Sequence, residues 1–302
     1  MPKKLILVAD STQIATWDEC PEKWNLGFRQ HLGDMLDFDE PITIGTYGHK
    51  LLEVYYKNKH KLGASEAFKL ARNLDIDKTN KLYEKFPLTD QVRAKIKARF
   101  MDYFMTYGAS DYTLKTKIVH TIKTNDQGNP YDCFTNEPIV EKGFSYSLLD
   151  TKEYLFVLEG KIDLLVDTPM GPAFVDHKFQ LRERQLYPKS IQFKNYALVT
   201  GLNLGIINYI RLKDKLDDKT LIRAPIAFDG RELRQWKEEV IHYFVQMAKN
   251  ARDNDYARRW GACSGKFGYV CEFSKLCPEY KNHLLYQGIK STLIKREEWK
   301  PW

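Results

Sequence analysis

The stretch from Glu159 to Tyr196 constrains this chain more than any other part of it. Ile162, Leu164 and Val166 alternate with Asp163, Leu165 and Asp167, the period-two pattern of a β-strand. Thr168-Pro169-Met170-Gly171-Pro172 then supplies turn chemistry. Ala173 to Lys178 alternates again, so Phe174, Asp176 and Lys178 fall on one face of a second strand. Pro188 to Thr200 reads as a helix that carries Gln192 and Tyr196 one turn apart on one face. The segment predicts a hairpin followed by a helix.

The register of that hairpin carries chemistry. A turn centred on Pro169 and Met170 sets Asp163 opposite Asp176, and opposed residues point to the same side of a sheet. Two like charges at that spacing destabilise a sheet. A divalent cation between them reverses the sign, because hard cations take carboxylate oxygens. Lys178 stays on the same face, where an ammonium offsets negative charge developing on a phosphate. Two carboxylates and a lysine so placed fit a metal-dependent phosphodiesterase. A surface hairpin whose charges face water is the other reading of the same pattern.

Four motifs in order resemble the PD-(D/E)XK nucleases, in their RecB-like branch, which includes the AddB-type nuclease domains and the nucleases of CRISPR adaptation. They are Gly48-His49, Asp163, Asp176-x-Lys178 and Gln192-x-x-x-Tyr196, and they span about half the chain. The resemblance implies an α/β fold, with a central mixed β-sheet of restriction-endonuclease type flanked by helices and an inserted helical subdomain. It implies that His49, Asp163, Asp176 and the backbone carbonyl of His177 hold Mg²⁺ or Mn²⁺, with Glu53 a partner of His49. Lys178 would orient the attacking water or stabilise the pentavalent phosphorus. Gln192 and Tyr196 would position substrate and support the ligands. The activity implied is a deoxyribonuclease, an exonuclease acting on DNA ends or single strands. It would serve replication, recombination or repair in a prokaryotic or phage-infected cell, beside a helicase or recombination partner.

The cysteines form a second constellation. Five in number, they make an odd count without a secretory context, which favours a reducing cytoplasm over a disulfide scaffold. Cys263, Cys271 and Cys277 follow C-x7-C-x5-C spacing in a Gly- and aromatic-rich segment, and core packing explains such crowding poorly. Cys20, like Cys277, is followed by proline and is the candidate for a fourth ligand. RecB-like nucleases clamp a [4Fe-4S] cluster with one N-terminal and three C-terminal cysteines, so the resemblance implies an iron–sulfur clasp here. The first gap departs from the family, where two residues are usual. Tetrahedral Zn²⁺ on the same thiolates is the alternative, and buried thiols are the third reading.

The remaining chain reads as one domain over 1–302, with N-terminal helices over 10–60 and a helical insertion over 61–110. The catalytic sheet would occupy 113–228, and a C-terminal helix with the cysteine cluster 229–302. Asp10 precedes a helix start, and Pro41 to Lys59 forms the helix of His49. Val92, Ile96, Phe100 and Phe104 make an apolar stripe, with Arg93, Lys95, Lys97 and Arg99 largely off it. Asn125 to Asp132 reads as a polar turn, and Cys133 beyond it as structural. A net charge of +7 with 13% aromatic residues suits an anionic partner. No G-x-x-x-x-G-K-[ST] phosphate loop occurs, which excludes an ATP-driven helicase, and no membrane span or secretion signal is read. A non-catalytic DNA-binding protein that keeps the fold, or a subunit active only within a helicase complex, stays open as a different class.

Overall fold

Asp10 opens the first helix as expected, its Oδ1 accepting from the Gln13 N–H at 2.7 Å. The computed structural model describes residues 4–33, 40–74, 88–108, 113–114, 116–124, 130–181, 189–263 and 270–295. Residues 125–129 of the expected polar turn, residues 75–87 of the helical insertion and Pro188 of the expected helix lie outside the described residues, as does the side chain of Cys133.

In chain order the elements are β1 (Leu5–Ala9), α1 (Ser11–Glu19), α2 (Pro21–Trp24), β2 (Leu32–Gly33), α3 (Glu40–Leu62), α4 (Ala64–Arg72) and α5 (Asp90–Tyr107). The strands β3 (Thr113–Leu114), β4 (Thr116–Thr124), β5 (Pro130–Pro138), β6 (Val140–Asp150), β7 (Tyr154–Thr168) and β8 (Gly171–Gln180) follow. Then come α6 (Ile191–Thr200), β9 (Leu204–Arg211), β10 (Leu221–Ala227), α7 (Gly230–Asp253), α8 (His283–Lys290) and β11 (Ile294–Lys295). The protein is α/β, with a central mixed sheet flanked by helices. Strand order is β1-β7-β8-β9-β10, with β3 and β6 also pairing to β7. β1 with β7 and β8 with β9 are parallel, while β7 with β8 and β9 with β10 are antiparallel.

The hairpin register is the expected one. Thr168 pairs Gly171 around the Pro169-Met170 turn, and the ladder runs back to Leu164 opposite Val175. The burial is not the expected alternation, because Ile162 through Val166 are buried on both faces of β7. A strand covered on both sides uses apolar residues at successive positions, and the helices packed on this sheet make β7 such a strand.

The chain divides into two compact units. One comprises residues 38–144 and 161–233. Its core joins Leu51, Tyr55 and Tyr56 of α3, Ile96 and Phe100 of α5, and Val166, Val175, Phe179 and Ile210 of the strands. The predicted stripe on α5 faces this core, with Val92 and Phe104 packed at its margin. Arg93, Lys95 and Arg99 are engaged by Asp90, Asp214 and Asp102. Gly48 lies inside α3 because Phe179 of β8 occupies the space of a side chain. A Cβ there would stand 2.3 Å from the ring.

The other unit comprises residues 1–37, 145–160 and 234–302. Trp17 and Trp24 meet edge to face at 5.3 Å, and Phe156 packs on Phe244. Leu26, Leu32, Phe273, Leu276 and Cys277 form a second small core, with Cys271 packed against it. Among the described residues no helix is long and apolar enough to cross a membrane.

Candidate active site

The antiparallel ladder between β7 and β8 stops at Leu164 and Val175. One residue further on each strand come Asp163 and Asp176. The Asp163 carboxylate replaces the ladder there, its Oδ2 accepting the His177 N–H at 2.7 Å. β8 meanwhile pairs in parallel with β9 from Phe174 to Gln180, which fixes Asp176, His177 and Lys178. The site forms where the two strands part.

Each candidate side chain in this unit has a definite seat. Asp176 is buried, and its Oδ1 accepts from Lys178 Nζ and from Gln192 Nε2, both at 3.0 Å. Asp176 Oδ2 lies 2.8 Å from the same ammonium, yet it accepts no hydrogen bond of good geometry. Gln192 Oε1 in turn accepts from Lys178 at 3.1 Å, and Gln192 Nε2 donates to Tyr196 Oη at 2.9 Å. Tyr196 donates to the Lys161 carbonyl at 2.6 Å. The one-turn spacing of Gln192 and Tyr196 on α6 thus bridges β8 to β7. Nearby carboxylates Asp176 and Asp163 outweigh burial and hold the Lys178 pKa above its ordinary value. Burial, with Asp163 and Asp176 beside it, keeps Tyr196 a neutral phenol far into alkaline pH.

His49 reaches the same place from α3. Its Nδ1 lies 2.8 Å from Glu141 Oε1 and 3.5 Å from Asp163 Oδ2. Glu53, expected as its partner, instead binds Lys50 at 2.9 Å and Lys57 at 2.6 Å. The imidazole turns toward the strands, whereas Glu53 stays with its helix neighbours. Glu141 is the residue the sequence analysis missed. It stands at the start of β6 with φ of 49°, the left-handed region that a glutamate seldom adopts. No periodicity or spacing marks such a position. Its other oxygen accepts from Lys161 Nζ at 2.9 Å. His177 is buried and neutral, its pKa driven down by burial. Its Nδ1 accepts from Asn208, and its ring stacks on Tyr56.

His49, Glu141 and Asp163 shift one another strongly. Burial, together with Asp176 and Glu141, pushes the Asp163 pKa up to about 7 despite His49 and Lys178. Burial alone would lower the His49 pKa, but Asp163 and Glu141 raise it to about 9. His49, Glu141 and Asp163 each bring a ligand atom within 4.8 Å of the others. Oxygen and imidazole donors brought this close fit a hard or borderline divalent ion, which would take the place of the His49 proton.

The four cysteines expected to act together lie in the other unit. Cys20 and Cys277 are buried, Cys263 and Cys271 half-buried, and none is in a disulfide. The Cys20 Sγ accepts the Arg259 N–H at 3.5 Å, and the Cys271 N–H donates to the Cys263 carbonyl at 3.0 Å. Burial, then Glu22, Cys271 and Cys20, push the Cys277 thiol up to about 12. Burial also raises Cys271, with Cys263 contributing. The thiols are therefore within electrostatic reach of one another.

A mixed sheet whose ladder opens onto two aspartates and a lysine defines a nuclease-type hydrolase fold of the restriction-endonuclease kind. A family profile for the PD-(D/E)XK nuclease superfamily matches residues 11–278, and the chain belongs to that superfamily. Membership makes it a nuclease-type hydrolase, and superfamily members use divalent metals and act on DNA. The crystal structure of SSO0001 is similar at 14% identity, over 76% of this chain and 81% of that one, with a TM-score of 0.30, a likeness too loose to carry an argument. No curated protein matches the chain.

Proposed function

We propose that the protein is a Mg²⁺- or Mn²⁺-dependent deoxyribonuclease of the RecB-like branch, an exonuclease that hydrolyses phosphodiesters at DNA ends. The observation that supports this reading is the parting of β7 and β8, beyond which the Asp163 carboxylate accepts the N–H of His177, between Asp176 and Lys178. His49, Asp163, Asp176 and the His177 carbonyl would hold the cation. When bound, a divalent ion polarises the scissile phosphate and makes a nucleophile available at neutral pH. Lys178 supplies a cation whose position Asp176 and Gln192 fix, so it meets charge developing on the phosphate without reorganising. The His177 amide locks the Asp163 carboxylate, and the Asn208 and Tyr56 contacts lock His177 itself. No side chain here calls for a covalent intermediate.

For the other unit we infer a [4Fe-4S] clasp on Cys20, Cys263, Cys271 and Cys277, structural because it belongs to neither carboxylate nor lysine. Zinc on the same four thiolates is the alternative reading.

The test is cleavage of end-labelled single- and double-stranded DNA by anaerobically purified protein with Mn²⁺, Mg²⁺ or EDTA. Metal-dependent products that Lys178→Ala abolishes are expected, and their ladder reads the polarity. DNA binding without cleavage in Mn²⁺ would instead favour a non-catalytic binder, and activity only beside a helicase a partner-dependent subunit.

A further inference from the structure

We propose that Glu141 is a direct ligand of the active-site cation, beside His49 and Asp163, an inference that rests on the metal-dependent reading above. Three observations lead to it. The ligand atoms of His49, Glu141 and Asp163 lie within 4.8 Å of one another, so one ion reaches all three. Glu141 Oε1 and His49 Nδ1 are 2.8 Å apart, a hydrogen bond that a divalent ion would displace, taking both atoms as donors. The carboxylate is also aimed. Lys161 takes Oε2 at 2.9 Å, which turns Oε1 toward His49, and the group is buried, with 7% of its side chain exposed.

A carboxylate that served only to orient His49 would have no reason to stand within ion-binding distance of Asp163. Asp176 differs, because both of its oxygens already face the Lys178 ammonium and one also accepts from Gln192. The donor set is thus weighted toward the α3 and β6 side of the site, through a residue outside the four recognisable motifs.

The inference is tested with the full-length chain and Mn²⁺ or Co²⁺ alone, without DNA. Equilibrium dialysis measures Mn²⁺ affinity, and visible absorption reports the coordination of bound Co²⁺. Glu141→Gln is expected to weaken Mn²⁺ binding at least about tenfold and to alter the Co²⁺ spectrum. Glu141→Asp, which keeps the charge and suits left-handed backbone better, is expected to bind with intermediate affinity. Glu53→Gln removes a charge from the same unit at a residue engaged by Lys50 and Lys57, and should bind Mn²⁺ like the wild type.

Unchanged Mn²⁺ affinity in folded Glu141→Gln would overturn the proposal, and so would weaker binding with an unaltered Co²⁺ spectrum, the mark of an orienting group. If Glu141→Gln does not fold, Glu141→Asp with wild-type affinity and spectrum overturns it. Wild type that binds Mn²⁺ through Glu141 but cuts no DNA would sink the nuclease reading and leave the ligand assignment standing. Wild type that takes up no Mn²⁺ at all would overturn both.

Discussion

His49 Nδ1 and Glu141 Oε1 lie 2.8 Å apart although they are 92 positions apart in the chain. The pair has a consequence for stability. His49 titrates near 9 in the folded protein against 6.5 ordinarily. A group whose folded pKa is raised stabilises the fold fully below its unfolded value, and that contribution is lost as pH rises through the folded value. In EDTA, the melting temperature of wild type should therefore fall relative to His49→Gln between about pH 6.5 and pH 9. Circular dichroism melts across that range measure it. Parallel curves for the two proteins would remove the ion pair from the metal-free state.

The glycine before His49 has a steric reason. In an open helix, Gly48→Ala would gain about 1 kcal/mol from helix propensity. Here the new Cβ would lie 2.3 to 2.5 Å from three atoms of the Phe179 ring, including Cγ, so the ring cannot swing its far end aside. Overpacking of this kind costs about 1–3 kcal/mol, and it should win. Gly48→Ala is expected to lower the urea midpoint and to weaken Mn²⁺ binding by shifting His49. Phe179→Leu added to it should restore part of both. An alanine variant as stable as wild type would show that α3 and β8 are less tightly packed than this.

The parts of the site legible in the sequence are those governed by local period. Turn chemistry at Pro169-Met170 set the hairpin register as far as Leu164 opposite Val175, and the one-turn spacing of Gln192 and Tyr196 placed both on the face of α6 turned to β8 and β7. Glu141 was not legible, because a left-handed residue at the start of a strand breaks the strand period. Glu53 misled for the converse reason. Its i, i+4 relation to His49 is real, but the lysines at the same spacing compete for it and the imidazole turns to the sheet. The two-sided burial of β7 was hidden as well, since alternation of aspartates looks amphipathic until the helices that cover both faces are known.

Tyr196 tests whether the second layer matters to chemistry. Its hydroxyl donates to the Lys161 carbonyl and accepts from Gln192, which itself accepts from Lys178 and donates to Asp176. Tyr196→Phe keeps the ring and leaves those two partners short of one bond each. A loss of about 1–2 kcal/mol in unfolding free energy is expected. On the nuclease reading, cleavage should also drop by about tenfold or more as Gln192 loses its brace. Chemical denaturation and single-turnover cleavage separate the two effects. Reduced stability with undiminished cleavage would make Tyr196 a packing residue only.

Cys277 offers the sharpest separation between a clasp and ordinary packing. It sits in a small core with Leu26, Leu32, Phe273 and Leu276, so a plain buried thiol is a coherent reading of its contacts. Replacing that thiol by a buried hydroxyl would then cost about 1–3 kcal/mol and change nothing else. Yet Cys277 also feels Cys271, Cys20 and Glu22, which raise its pKa together with burial, an arrangement that opposes a thiolate unless a cation neutralises it. Thiolates that bind iron supply folding energy from the bound state, so removal of one ligand should cost more than its packing. Cys277→Ser purified anaerobically is therefore expected to lose its iron and visible absorption, melt well below wild type, and lose protection near Cys20 and Arg259 in hydrogen exchange. Arg259 is a specific reporter because its amide donates to the Cys20 sulfur. A variant that lost only the packing energy, from a wild type that carried neither iron nor zinc, would return all four cysteines to the core.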